Sequence, residues 1–474
     1  MEEELTPDLC VIGGGSGGLS VAAAAAQLGV SVVLVEKGLM GGDCLNYGCV
    51  PSKALLAAAK RADAVRTAST FGIDVLEAQI DHRAVHDHVH RVIANIAPND
   101  SVERFTGLGA RVIQAQASFL DKDTLEAGAV LVRARRFVIA TGGTPFVPAI
   151  PGLDEVPYLT NETIFDIGER VQHLIVLGGG PIGAELGQAH AMLGAEVSIF
   201  DTGEFLTKED PEAARVLLKR LQETGVAMYP NTRVERVVPS VQGVAVHFRQ
   251  GADNVIVKGS HILVATGRRP NLRPLSLDRA GITHTDRGIK VNEQLKTTNR
   301  KVYAIGDAIG GQQFTHLANY HASIVVKNAL FRLKPDVSAM HIPRVMYTDP
   351  ELAQVGLTEE EGRAKSRRIR IYRWPFADND RAQCERRTDG FIKVITKKDG
   401  TVLGVTIVGP EAGELLQLWI VAIAKEMRIG DLTSLVLPYP TYSEISKRVA
   451  FTYYRPMLSK GWLRWIIGLL RKLG

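Results

Sequence analysis

At 474 residues, 45% hydrophobic and 23% charged, rich in glycine and without a low-complexity tract, the chain is too long for one ordinary core and too apolar for disorder, so two or three domains are expected. Four cysteines are too few for a disulfide framework, and any working pair among them points to catalysis or metal binding. The formal charge of +5 belongs to residues 451–474, which hold five basic residues and no acid; residues 1–450 balance 51 against 51 and offer no case for nucleic acid.

The acidic start, Met1 to Asp8, lacks the features of a signal peptide, and a cytoplasmic protein is expected. Leu9-Cys10-Val11-Ile12 then reads as a buried strand. Gly13-Gly14-Gly15-Ser16-Gly17-Gly18 makes a tight turn, and an alanine-rich helix runs to Gln27. The next strand, Ser31 to Val35, ends on Glu36, 23 residues after Gly13. A second copy begins at His173–Leu177, turns at Gly178-Gly179-Gly180-Pro181-Ile182-Gly183, continues as a helix through Leu193 and reaches Asp201, again 23 residues after its first glycine. Each copy closes on a similar strand, ending at Thr141-Gly142 in one and Thr266-Gly267 in the other. Small residues at Gly13, Gly15 and Gly18, and at Gly178, Gly180 and Gly183, let backbone approach a pyrophosphate, the helix N-terminus supplies donors, and Glu36 or Asp201 accepts from ribose hydroxyls. The fold class expected is therefore α/β with two Rossmann-like dinucleotide-binding domains.

Gly41 to Lys53 carries Cys44 and Cys49 five residues apart. A disulfide needs Cα atoms within about 7 Å, whereas five residues of regular helix rise about 7.5 Å, so this segment must bend, with Gly48 and Pro51 permitting it. A bond held in such a turn is easily reduced, and Lys53 places a positive charge nearby. From Lys53 to about Leu108 the chain reads as helical. Its histidines, His82, His86, His88 and His90, lack the companions of a metal site and are expected on a solvated face; no metal is assigned.

A strand ending at Asp307 follows, and from about His341 alternating strands (Gly390–Thr396, Thr401–Val408) and a helix from Ala412 to Lys425 read as an α+β domain. Cys10 reads as a buried strand residue and Cys384 as an unpaired thiol. Near the end, Trp462, Trp465, Ile466, Leu469, Leu470 and Leu473 form one helical stripe that the basic residues mostly avoid; too short to span a bilayer, it either lies in an anionic interface or packs on the protein's own dimer, and the unopposed charge favours the interface.

The two glycine turns, Cys44-x4-Cys49 with Val50-Pro51-Ser52-Lys53, the Ala-Thr-Gly strands, Gly306-Asp307, Thr348-Asp349-Pro350-Glu351 and Val355-Gly356-Leu357-Thr358 together resemble the pyridine nucleotide-disulfide oxidoreductases, which include dihydrolipoamide dehydrogenase, glutathione reductase and mercuric reductase. The resemblance covers about residues 8–450. It implies a homodimer with FAD bound by the first copy (1–150 and 271–338), nicotinamide by the second (151–270) and an interface domain over 339–450; the basic amphipathic tail at 451–474 departs from the family. By position it makes Cys49 the flavin-facing thiol and Cys44 the interchange thiol, pairs Lys53 with Glu185 beside the flavin, and adds Asp307 and Thr315 to the FAD contacts. Asp201, with no arginine from Thr202 to Thr207, favours NADH over NADPH. The chain departs from the family where disulfide-reducing members carry a catalytic histidine: Tyr439 stands there, with Glu444 retained, so the small oxidant at the end of the electron path is a disulfide or, as in mercuric reductase, a metal ion. The tail adds a third acceptor class, a membrane quinone.

Overall fold

The computed structural model describes residues 3–76, 79–335, 337, 341–366, 368–458 and 460–472. Its contacts divide the chain into two units, Met1–Gly203 with Ala227–Val337, and Glu204–Val226 with Ser338–Gly474.

The first unit contains both predicted nucleotide sheets. In one, five parallel strands lie in the order Val302–Ala304, Arg136–Ile139, Leu9–Ile12, Val32–Glu36, Ala110–Gln114. The chain starts in the middle of this sheet and winds outward both ways, which opens a crevice beyond Ile12 and Ile139 where the strand order reverses. Leu9–Ile12 is buried on both faces, so it reads as a continuous apolar run: Leu9 and Val11 pack with Ala22 and Ala25 of the helix Ser16–Gln27, while Cys10 and Ile12 pack with Phe119 and Phe137. Cys10 is the fully buried strand thiol expected. The second sheet repeats the plan with Val226–Tyr229, Glu196–Phe200, His173–Leu177 and His261–Val264, and the antiparallel strands Val234–Ser240, Gly243–Gln250 and Asp253–Gly259 cover it. Its helix, Pro181–Met192, begins with proline in the first turn, where the missing N–H costs nothing.

The inserted region is helical as expected, mainly Cys49–Arg66 and His82–Ile96. Its histidines differ from expectation. His82, His86 and His90 are half-buried, His86 and His90 have ring centroids 4.2 Å apart, and His90 Nε2 bonds the Phe165 carbonyl at 3.1 Å; His88 alone of the four is exposed. The i, i+4, i+8 spacing aligns the three with the side of the helix that carries buried Val89, so they follow it inward. Among the described residues no group of three or more His, Cys, Asp or Glu is disposed to hold a metal ion.

The second unit is built on an antiparallel sheet in the order Arg344–Met346, Glu351–Gly356, Val402–Gly409, Phe391–Thr396, Arg370–Pro375. Helices Ala412–Leu415, Gln417–Ala424 and Glu444–Phe451 pack on it; the first two replace the single helix predicted from Ala412 to Lys425. Fully buried Trp419 anchors this layer and donates its indole N–H to Ser446 at 3.0 Å. The helix Pro211–Glu223 joins this unit through a buried charge: Lys393, 5% exposed, meets Asp210, Glu212 and Glu359 at 3.0, 2.9 and 3.1 Å. An ammonium this deep requires such partners, and they hold the start of the helix to the sheet.

Candidate active site

The two glycine turns have nearly identical geometry. Gly13 and Gly178 adopt φ of +114° and +112°, and a Cβ at either would lie 2.2 or 2.3 Å from a carbonyl oxygen of the closing strand, Ala140 or Ala265. Only glycine fits there. Each acid is held the same way. Glu36 accepts from the N–H of Gly14 at 2.5 Å and of Gly38 at 2.6 Å; Asp201 accepts from Gly179 at 2.7 Å and Gly203 at 2.9 Å. In front of Glu36 an open cleft is lined by Gly13, Val35, Thr141 and Asn271 among others, and the buried Thr141 hydroxyl has no partner within the described residues. A carboxylate for ribose, a glycine turn for pyrophosphate and a free hydroxyl between them suit the adenosine end of a dinucleotide such as FAD.

The redox segment bends as its spacing requires. A short helix, Gly42–Asn46, stops at Tyr47; Gly48 turns the chain, and a new helix starts at Cys49. A Cβ on Gly48 would sit 2.9 Å from the Asp43 carbonyl and carboxylate oxygens, so the bend is as tight as glycine allows. Pro51 falls in the first turn of the second helix, where it is tolerated and does not make the bend. Ser52 Oγ donates to the Gly48 carbonyl at 2.7 Å and fastens the corner.

Cys44 is half-buried and Cys49 exposed, both as thiols. Cys44 donates a hydrogen bond to Cys49, and this, with the Thr315 hydroxyl at 3.5 Å and the Lys53 ammonium, lowers the Cys49 pKa to about 6; the same hydrogen bond, burial and the Cys49 charge push the Cys44 thiol up. Lys53 Nζ lies 2.7 Å from Glu185 Oε2, with the Glu185 side chain 8% exposed. Cys44, Cys49, Lys53, Glu185 and Thr315, residues from three distant parts of the sequence, therefore form one constellation. Thr315, expected from the resemblance as a cofactor contact, stands at the Cys49 sulfur in the first turn of the helix Thr315–Ala329. Asp307 is half-buried, and desolvation raises its pKa against the nearby Arg268.

Sequence reading did not single out Arg268, Asp43 or Asn161. Arg268 Nη1 lies 3.2 Å from Asp43 Oδ1, its Nε 3.7 Å from Asp307 Oδ2, and Nη2 donates to the Gly143 carbonyl at 2.5 Å. Asn161 donates to Asp43 Oδ1 at 3.0 Å and to the Tyr47 carbonyl at 3.2 Å. The available signal was Asp43 itself, an acid directly before a reactive cysteine.

In the second unit Tyr439 is 67% exposed and donates to Asp380 Oδ2 at 2.9 Å, which holds its phenol above the ordinary value. Glu444 opens the helix Glu444–Phe451 and pairs with Arg448 at 3.2 Å. Cys384 is exposed at the end of the helix that Asp380 begins.

Residues 7–322 match the model of the pyridine nucleotide-disulphide oxidoreductases, and residues 342–450 match that family's dimerisation domain. The chain belongs to this family. It is an FAD-dependent oxidoreductase with two dinucleotide-binding domains and a dimerisation domain. It is 33% identical to a mercuric reductase of Lysinibacillus sphaericus over 94% of this chain and 82% of that protein, and 33% identical to a dihydrolipoyl dehydrogenase of Geobacillus stearothermophilus over 93% and 94%. Among solved structures it resembles the Cu(II) complex of the HOCl-induced flavoprotein disulfide reductase RclA from Escherichia coli (TM-score 0.85, 25% identity, 94% of this chain and 99% of that one). It also resembles LpdA from Mycobacterium tuberculosis (TM-score 0.86, 26% identity, 95% and 99%).

Proposed function

We propose that this oxidoreductase takes hydride from NADH and reduces a small disulfide through Cys44 and Cys49. In this reading residues 1–150 with 271–338 hold FAD, 151–270 hold the nicotinamide cofactor, and 339–450 join two copies as a homodimer. Bound FAD would carry the electron pair from nicotinamide to the thiol pair. The observation that carries the reading is the convergence at one bend of Cys44 and Cys49 with the Thr315 hydroxyl, 3.5 Å from the Cys49 sulfur, and the Lys53–Glu185 pair at 2.7 Å, surroundings that favour a thiolate at Cys49. After that proton leaves, the Cys44 thiolate attacks a substrate sulfur, forming a mixed disulfide and expelling one substrate thiolate, which is protonated. Cys49 thiolate then attacks Cys44 Sγ; the Cys44–Cys49 bond forms and the second substrate thiolate leaves. Lys53, neutralised in part by Glu185, favours the thiolate at Cys49. Tyr439, bound to Asp380 with a raised pKa, is a poor proton donor to the leaving thiolate, so solvent supplies that proton.

NADH is favoured because Asp201 faces the second glycine turn and no arginine stands from Thr202 to Thr207 to receive a 2′-phosphate. The test is NADH oxidation by FAD-loaded protein with lipoamide, oxidised glutathione, mercuric ion and a soluble quinone in parallel, wild type beside Cys44→Ser. Disulfide turnover that disappears in Cys44→Ser supports the reading; turnover with quinone alone, indifferent to Cys44, overturns it. The mercuric relatives and Tyr439 favour a soft metal ion as the second reading, which the same assay separates.

We also infer that this enzyme is cytoplasmic and docks residues 456–474 on an anionic membrane surface. The helix Gly461–Leu470 leaves Trp462, Trp465, Ile466, Leu469 and Leu470 exposed on one side, with Arg464 and an exposed Ile467 on the other; Leu473 lies outside the described residues. No helix among the described residues is long and apolar enough to cross a membrane. Flotation with anionic and neutral vesicles tests the docking: anionic binding lost on deleting 456–474 supports it, and equal recovery with or without the segment contradicts it.

A further inference from the structure

A fixed carboxylate beside an attacking thiol works against it, because the thiolate must form next to a negative charge. Asp43 directly precedes Cys44, and its charge helps push the Cys44 thiol up. The surroundings add acid: Glu162, Asp166 and Asp43 all act on the Tyr47 phenol at the same corner. The compensation comes from a distant part of the chain. Arg268 follows the closing strand of the second sheet, on a short strand, Arg268–Pro270, that pairs antiparallel with Gly143–Pro145 beside the flavin sheet. That pairing carries a guanidinium, its side chain 11% exposed, to Asp43 Oδ1 at 3.2 Å, with Asp307 Oδ2 at 3.7 Å on its other side and the Gly143 carbonyl accepting at 2.5 Å. Asn161 ties the same Asp43 oxygen to the bend at Tyr47. A planar, permanently charged fork can serve these three acceptors at once, which a lysine ammonium at one point could not.

We propose that Arg268 is a positioning residue for the thiol chemistry, neutralising and fixing Asp43 so that Cys44 stays reactive, and seating the redox segment against the cofactor-side carboxylate Asp307. The proposal rests on Cys44 as the interchange thiol. It assigns to the second nucleotide half a task besides cofactor binding: its closing strand sets the electrostatics of the redox segment in the first.

The test measures iodoacetamide alkylation of Cys44 against pH in FAD-loaded, dithiothreitol-reduced protein, with the labelled cysteine identified by mass spectrometry. Arg268→Met is expected to slow Cys44 alkylation at neutral pH by about tenfold and to move the profile to higher pH. Asp43→Asn/Arg268→Met is expected to return the rate to within about threefold of wild type, since the uncompensated charge is gone. An unmoved profile in Arg268→Met, or a double variant as slow as the single one, overturns the proposal in favour of a purely structural role. Should Arg268→Met fail to fold, Asp43→Asn alone decides: faster alkylation with the profile at lower pH supports the proposal, and an unchanged profile overturns it. Alkylation does not depend on turnover, so a Cys44→Ser enzyme that still reduces disulfides would sink the proposed function while this measurement still reads the effect of Arg268.

Discussion

The two nucleotide halves share a backbone and differ in almost everything that does chemistry. Strand, glycine turn, helix and acid superimpose in kind, down to Glu36 and Asp201 each accepting from two glycine N–H groups at the same offsets. Between turn and closing strand, however, the first half inserts the Cys44–Cys49 bend and its helices, while the second has the helix Pro211–Glu223 and a run of antiparallel strands. The repeated geometry is a general solution for holding a dinucleotide. What differs is what was placed beside it, including Glu185, which pairs with Lys53, and Arg268, which pairs with Asp43 directly before Cys44.

The largest effect should come from breaking the half that carries the thiols. Cys44→Ser is expected to lower NADH-driven disulfide reduction by at least about a thousandfold while leaving FAD content unchanged, measured by steady-state turnover and flavin absorbance. Next, Lys53→Met removes a positive charge that lowers the Cys49 pKa, which stands at about 6. The thiolate is populated above that pH and lost as pH falls through it, so the variant's thiolate absorbance in a pH titration should appear at higher pH, towards the ordinary thiol value. In the other half, Asp201→Asn should reduce the preference for NADH over NADPH by about tenfold, roughly 1.4 kcal/mol, in kcat/KM. The smallest change is expected at Tyr439: a true general acid contributes about a hundredfold or more, so Tyr439→Phe altering disulfide turnover by less than about threefold, with Tyr439→His raising it, would mark the phenol as a bystander.

The repeat was legible because Gly13, Gly178 and their acids obey backbone constraints that hold wherever this turn occurs. The bend at Gly48 was legible for the same reason: five residues of helix are too long for a sulfur bridge. Spacing could not reveal Arg268, whose reach to Asp43 depends on the Arg268–Pro270 strand pairing with Gly143–Pro145, residues more than a hundred positions away. Nor could it find Asp380 as the partner of Tyr439, 59 residues apart. The histidines were misplaced because polarity was weighed above helical phase; His82, His86 and His90 share a side with Val89, and burial of that valine decided their direction.

Anaerobic titration of the FAD-loaded enzyme with a reductant, compared between wild type and Cys49→Ser, tests the electron path most directly. The account predicts that wild type accepts two more electrons per subunit than the flavin alone can hold, and develops long-wavelength thiolate-to-flavin absorbance that Cys49→Ser lacks. Equal uptake by both proteins, or the same absorbance in the variant, would contradict it.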